Sequence, residues 1–192
     1  MTEPTVAAAD EILRKHGIRY VVVGGQAIAR EAATATRDVD VMVTTADYRK
    51  AVEQLAKDPS LTLAWEGGPV TRFGIVAQRG TPLDVVDAGE FSGTKSAQEF
   101  FEFLVHEHSV HVEGIRYLSA DAVWYTRLLT KRWKAYAEKI VTNIIDGLSP
   151  DHLDRVAEIA REFGTESVLQ ERLDYVREEL KRPDLKELVR EE

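Results

Sequence analysis

Residues 21–43 read VVVGGQAIAREAATATRDVDVMV. Tyr20 and the three valines that open this stretch form an apolar, β-branched run, which predicts a buried strand. Gly24 and Gly25 end it, and QAIARE (26–31) predicts a helix. A second strand follows, with Asp38 and Asp40 set among apolar Val39, Met42 and Val43. A strand repeats every two residues, so both carboxylates fall on one face near its start. Two like charges that close are costly unless a cation, protons or water compensates them. A divalent ion with hard oxygen ligands, magnesium above all, meets that need and shares its shell with substrate phosphates.

Outward from this stretch, residues 7–16 predict an amphipathic helix that stops at His16-Gly17. Thr45 is expected to cap the helix DYRKAVEQLAKD (47–58), which ends at Asp58-Pro59. Strands are predicted at 61–65 and 70–77, with a turn at Glu66-Gly67-Gly68-Pro69, and at LDVVD (83–87). Ser96 and Glu99 have capping-box spacing ahead of FFEFLV. HSVHVEGIRYLS (108–119) predicts a hairpin turning at Glu113-Gly114. Helices are expected over about 120–147, 150–163 and 166–181, with Ser149-Pro150 as a start and Gly164 as a stop. The elements therefore predict an α/β (α+β) half over residues 1–118, then a helical region over 119–192, whose apolar positions can pack on that core or against a partner.

Composition narrows the chemistry. The chain has 192 residues, 44% apolar and 30% charged, the profile of an ordinary soluble domain. It has no cysteine, which excludes a disulfide framework, a thiolate zinc site and a cysteine nucleophile. No apolar run reaches membrane-spanning length, and MTEPTVAAADEILRKHG does not read as a signal peptide, so a cytoplasmic location is expected. The net charge of −8 argues against a generally basic nucleic-acid-binding surface.

Asp84, inside LDVVD, completes a carboxylate triad with Asp38 and Asp40 if its strand neighbours theirs. Asp87, three residues on, is expected to face elsewhere. Two ions held by such a triad would stabilise both the attacking and the leaving oxygen of an in-line phosphoryl or nucleotidyl transfer. Asp84 is also placed to take the proton of an attacking hydroxyl. Gly24-Gly25 has no side chains to keep phosphates at a distance. It is neither a Walker A loop nor a dinucleotide fingerprint.

Taken together, VVVGGQAIAREAATATRDVDVMV resembles the signature of the nucleotidyltransferase superfamily. Within it, the form GGQAIA…TRDVDVMV, then LDVVD, then a helical tail is similar to the abortive-infection and toxin–antitoxin branch of AbiEii and MenT type. The resemblance implies a nucleotidyltransferase-fold core, a mixed sheet with flanking helices on which the C-terminal helical region packs, that uses a nucleoside triphosphate such as ATP, with Mg2+ or Mn2+ held by Asp38, Asp40 and Asp84. It implies phosphate contacts from Gly24, Gly25, Thr36 and Arg37, the last standing with Arg30 as candidates for an arginine that relatives carry where this chain has Thr34. It implies a lysine and an aspartate in the helical part, for which Lys131 or Lys139, and Asp146, are the candidates. The branch further implies tRNA as acceptor and an antitoxin as partner. Transfer to a small molecule such as an aminoglycoside, transfer to a protein hydroxyl, and a catalytically silent interaction module are the alternatives. The motif leaves oligomeric state open.

In RLLTKRWKAYAEK (127–139), helical spacing puts Arg127, Lys131 and Lys134 on one face, a local basic patch able to meet triphosphate or RNA backbone. His106, His108 and His111 carry no metal-binding motif. Trp65, Trp124 and Trp133 are expected in the core.

Overall fold

The computed structural model describes residues 4–28, 38–68, 70–75, 81–91, 96–145 and 149–182. The backbone divides into two compact units, Met1–Ala120 and Asp121–Glu192.

The first unit is a seven-stranded mixed sheet with flanking helices. Its elements are α1 (Pro4–Lys15), β1 (Tyr20–Val23), α2 (Gly24–Ile28), β2 (Val39–Val43), α3 (Thr45–Leu55), β3 (Leu61–Gly67), β4 (Val70–Ile75), β5 (Leu83–Asp87), α4 (Ala97–Glu107), β6 (Ser109–Val112) and β7 (Ile115–Leu118). The strand order is β3-β4-β5-β2-β1-β7-β6. β2 runs parallel to β5 and β1 parallel to β7, and the other pairs are antiparallel.

Side-chain alternation divides the central strands. Val22, Val39, Val41, Val43, Leu83 and Val85 lie in one core cluster with Ala9 and Leu13 of α1 and Ala51 and Leu55 of α3. This burial holds the sheet against those helices, at roughly 1.5–3 kcal/mol for each large side chain removed from water. The intervening positions, Asp38, Asp40 and Asp84, are thereby directed to the opposite face.

Several local expectations hold. The Ser96–Glu99 capping box is formed. The β6–β7 hairpin turns at Glu113 and Gly114, with φ of 52° and 83°, the double positive φ that a two-residue primed turn requires. The cap of α3 is shifted by one residue: Thr44, not Thr45, accepts the Asp47 N–H, at 3.2 Å. Thr45 instead donates to Asp87 Oδ1 at 2.5 Å. Asp87 also accepts the Gly89 N–H, at 2.8 Å.

The second unit is helical: α5 (Ala120–Leu129, whose first residue belongs to the first unit), α6 (Trp133–Ile145), α7 (Asp151–Phe163) and α8 (Glu166–Glu179). Leu153, Val156, Ile159, Ala160 and Phe163 of α7 are buried, as are Leu169, Leu173 and Val176 of α8. Gly164, at φ 78°, terminates α7 in the left-handed conformation.

The single helix expected over 120–147 is broken at residues 130–132. Arg172 of α8 donates Nη1 to the carbonyls of Leu128 and Thr130. In a continuous helix those carbonyls would accept from the N–H groups of residues 132 and 134. Thr130 Oγ1 also turns back to the Arg127 carbonyl, at 2.9 Å. No helix among the described residues is long and apolar enough to cross a membrane.

Candidate active site

Asp40 and Asp84 are register partners on the neighbouring parallel strands β2 and β5. On either side, Asp40 is opposite Val23 of β1 and Asp84 is opposite Arg72 of β4, which in turn is opposite Trp65 of β3. The sheet thus carries one row, Trp65–Arg72–Asp84–Asp40–Val23, across five strands. Asp38, two residues before Asp40, joins its acidic centre.

Arg72 ties this centre together. Its Nε donates to Asp84 Oδ1 at 2.7 Å and its Nη2 to Asp84 Oδ2 at 2.6 Å, a side-on fork. The same Nη2 reaches Asp38 Oδ2 at 3.1 Å. Asp84 is buried, while the Asp38 and Arg72 side chains are 37% and 43% exposed. The hydrogen bond to Asp84 raises the arginine's pKa above its ordinary value. The charges of Asp84, Asp38 and Asp40 act in the same direction and burial opposes them.

Gly24 meets Asp40 from the β1 side. It has φ of 66°, and a β-carbon built on it would fall 1.8 Å from Asp40 Oδ2. Only glycine provides both the backbone conformation and the room for the carboxylate. Gly25 is the next residue of α2.

The donor chemistry fits a divalent ion at Asp38 and Asp40, both hard oxygen donors on one face. At Asp84 the fit is different, because both carboxylate oxygens are engaged by Arg72. Among the described residues, no three His, Asp or Glu side chains are grouped as a ready ligand set for one ion.

Thr36, Arg37, Arg30, Thr34 and Asp146 lie outside the described residues. Lys131 falls in the break between α5 and α6, so it does not continue a helical face with Arg127 and Lys134. Several cations of the second unit lie over aromatic rings: Arg127 over Trp124 and Tyr136, Lys134 over Trp133, and Lys139 over Tyr136. Trp124 is buried as expected. Trp65 is not: it is 54% exposed, on an edge strand, with its indole over the space that a side chain at Gly67 would occupy. His106 lies on α4, His108 caps that helix and His111 lies on β6.

Arg72 is the residue of the centre that motif reading missed. The available signal was a lone arginine in TRFGI, alternating with Thr71 and Phe73, both of which are buried.

No family profile and no curated protein matches the chain. Solved structures resemble it in fold. ANT(2″)-Ia, solved in complex with adenylyl-2″-tobramycin, is 15% identical, with 91% of this chain and 94% of that chain covered and a TM-score of 0.48. TM1012 of Thermotoga maritima, which bears a provisional nucleotidyltransferase name, is 12% identical, with 75% and 92% covered and a TM-score of 0.47. JHP933 from Helicobacter pylori is 8% identical, with full coverage of both chains and a TM-score of 0.41. The likeness carries no branch name: none of the three is called an abortive-infection or toxin protein. At these identities it concerns the course of the backbone alone.

Proposed function

We propose that this chain transfers a nucleotidyl group from a nucleoside triphosphate to a hydroxyl of a small acceptor, releasing pyrophosphate. The observation that carries the reading is the junction of Gly24, Asp40 and Asp84: a carboxylate pair on adjacent strands, approached by backbone that has no side chain.

Asp38 and Asp40 would hold a magnesium or manganese ion, which when bound draws charge from the triphosphate oxygens. Gly24 gives its space to the Asp40 carboxylate, and the backbone of Gly25, the next residue, carries no side chain to keep the phosphates away. The acceptor oxygen attacks the α-phosphorus, the bond from that phosphorus to the bridging oxygen breaks, and pyrophosphate departs with the electron pair. Asp84 takes the hydroxyl proton. Its two oxygens offer about four lone-pair positions, of which Arg72 uses two. Arg72 fixes the carboxylate in place for that role.

Electrostatics favours a small acceptor over tRNA. RNA binding draws its affinity from cations that neutralise phosphates, and this chain carries a net charge of −8. The basic face expected along residues 127–139 is interrupted at Lys131, and its neighbours lie over aromatic rings. A cationic polyhydroxylated molecule, such as an aminoglycoside, suits an acidic surface. The tRNA acceptor and the antitoxin partner remain the reading to be tested against it.

The test incubates the purified chain with each α-labelled nucleoside triphosphate and Mg2+, with an aminoglycoside panel in one arm and total RNA in the other. Label on an aminoglycoside, lost in Asp40→Asn, supports the proposal. Label only on a tRNA-sized band replaces the acceptor class. The absence of product in both arms overturns it.

A further inference from the structure

We propose that Arg72 is a built-in second cation of the acidic centre, so that the site takes one divalent ion rather than two. The inference rests on the nucleotidyl-transfer reading for its purpose, but its cation count is measured independently of activity.

A two-ion centre uses the second ion to hold the attacking oxygen, with the two metals about 3.5–4 Å apart. A carboxylate in the position of Asp84 would be its natural ligand. Here both Asp84 oxygens receive N–H groups of one guanidinium, at 2.7 and 2.6 Å, and the same group reaches over to Asp38 at 3.1 Å. The guanidinium therefore occupies the coordinating edge of Asp84 and bridges it to the Asp38–Asp40 pair, as a second ion would.

Its placement is part of the sheet. Arg72 is the direct cross-strand partner of Asp84, and β4 is an interior strand with β3 and β5 on its two sides. Its backbone is held by the ladder, and its neighbours Thr71 and Phe73 are buried. Guanidinium keeps its charge at all accessible pH and matches a carboxylate edge with two parallel bonds. Three carboxylates and one guanidinium leave two negative charges, which one divalent cation would neutralise. Arg72 can donate hydrogen bonds to an acceptor oxygen, but it cannot bind that oxygen as a metal does. Deprotonation of the acceptor accordingly falls to Asp84.

The experiment counts Mn2+ bound to the full chain with a non-hydrolysable α,β-methylene nucleoside triphosphate, by calorimetry and by electron paramagnetic resonance. Wild type is expected to take one Mn2+ per chain and to give the spectrum of an isolated ion. Arg72→Ala is expected to take two, with spin–spin coupling between them. Two ions, or none, in the wild type overturn the inference whatever the variant does. One ion in a folded Arg72→Ala also overturns it. If Arg72→Ala does not fold, Arg72→Gln, which keeps the length and loses the charge, is expected to show the same doubling, and a single ion there counts against the inference. Failure of every transfer assay would remove the proposed function and leave this ion count standing.

Discussion

Gly24 and Asp40 are in such close approach that a β-carbon at position 24 would lie 1.8 Å from the Asp40 carboxylate oxygen. Glycine at this point is a steric requirement of the acidic centre. The Gly24→Ala variant must relax a left-handed residue, at a cost of about 1–2 kcal/mol, and also displace Asp40. It is expected to lower stability by about 2–3 kcal/mol in urea titration and to reduce transfer by roughly 100-fold through misplacement of the carboxylate.

Replacing Asp40 by Asn removes charge and changes little volume. Transfer is expected to fall by on the order of 1,000-fold, as when a group that stabilises transition-state charge is lost. The unfolding free energy from urea titration should stay within about 1 kcal/mol of wild type, because a like charge beside Asp38 has been relieved. A loss of activity accompanied by loss of the folded baseline would contradict this separation of roles.

Arg72 and Asp84 should be energetically coupled. A double-mutant cycle with Arg72→Ala and Asp84→Ala is expected to yield about 1–2 kcal/mol of coupling in urea denaturation. That value is discounted for the exposure of Arg72. Asp84→Ala alone should be the costlier single change in activity, since it also removes the proposed proton acceptor.

Tyr125 gives the second unit a pH dependence. Burial pushes its phenol up to about 12, opposed by the hydrogen bond with Thr165. The folded value exceeds the unfolded one of about 10. The associated stability is therefore whole below pH 10 and is lost as pH rises through 12. By pH 11.5 the stability of wild type relative to Tyr125→Phe should have fallen by about 2 kcal/mol, measured by urea unfolding at pH 8, 10 and 11.5. A constant gap would refute the assignment.

The break between α5 and α6 depends on Arg172, whose guanidinium takes the Leu128 and Thr130 carbonyls and also lies over Trp133. Arg172→Met keeps much of the side-chain volume and removes these donors. It is expected to cost about 1–3 kcal/mol by leaving the Leu128 carbonyl unmet, while the Thr130 carbonyl keeps the Trp133 N–H at 3.3 Å, and amide exchange at residues 130–134 should change before that of α7.

Which elements were legible in the sequence follows from the range of the forces that make them. The strands Val39–Val43 and Leu83–Asp87, the Ser96–Glu99 box, the Glu113-Gly114 turn and the Gly164 stop are encoded within a few residues, and each is present in the fold. The α5–α6 break was hidden because RLLTKRWKAYAEK is locally helical throughout, and the group that interrupts it lies some forty residues further on. Trp65 reads as a core residue by composition, and its exposure follows from β3 being the edge strand.

The acidic centre divides in the same way. Period two alone puts Asp38 and Asp40 on one face, because alternation is a property of a single strand. The partners of that pair come from strand pairing, which is non-local. The sheet order sets β5 beside β2 and β4 beside β5, bringing Asp84 level with Asp40 and Arg72 level with Asp84. The carboxylates were visible in the chain as written. The cation that joins two of them became visible only when the strands were laid side by side, since nothing local in TRFGI specifies which strand its arginine will face.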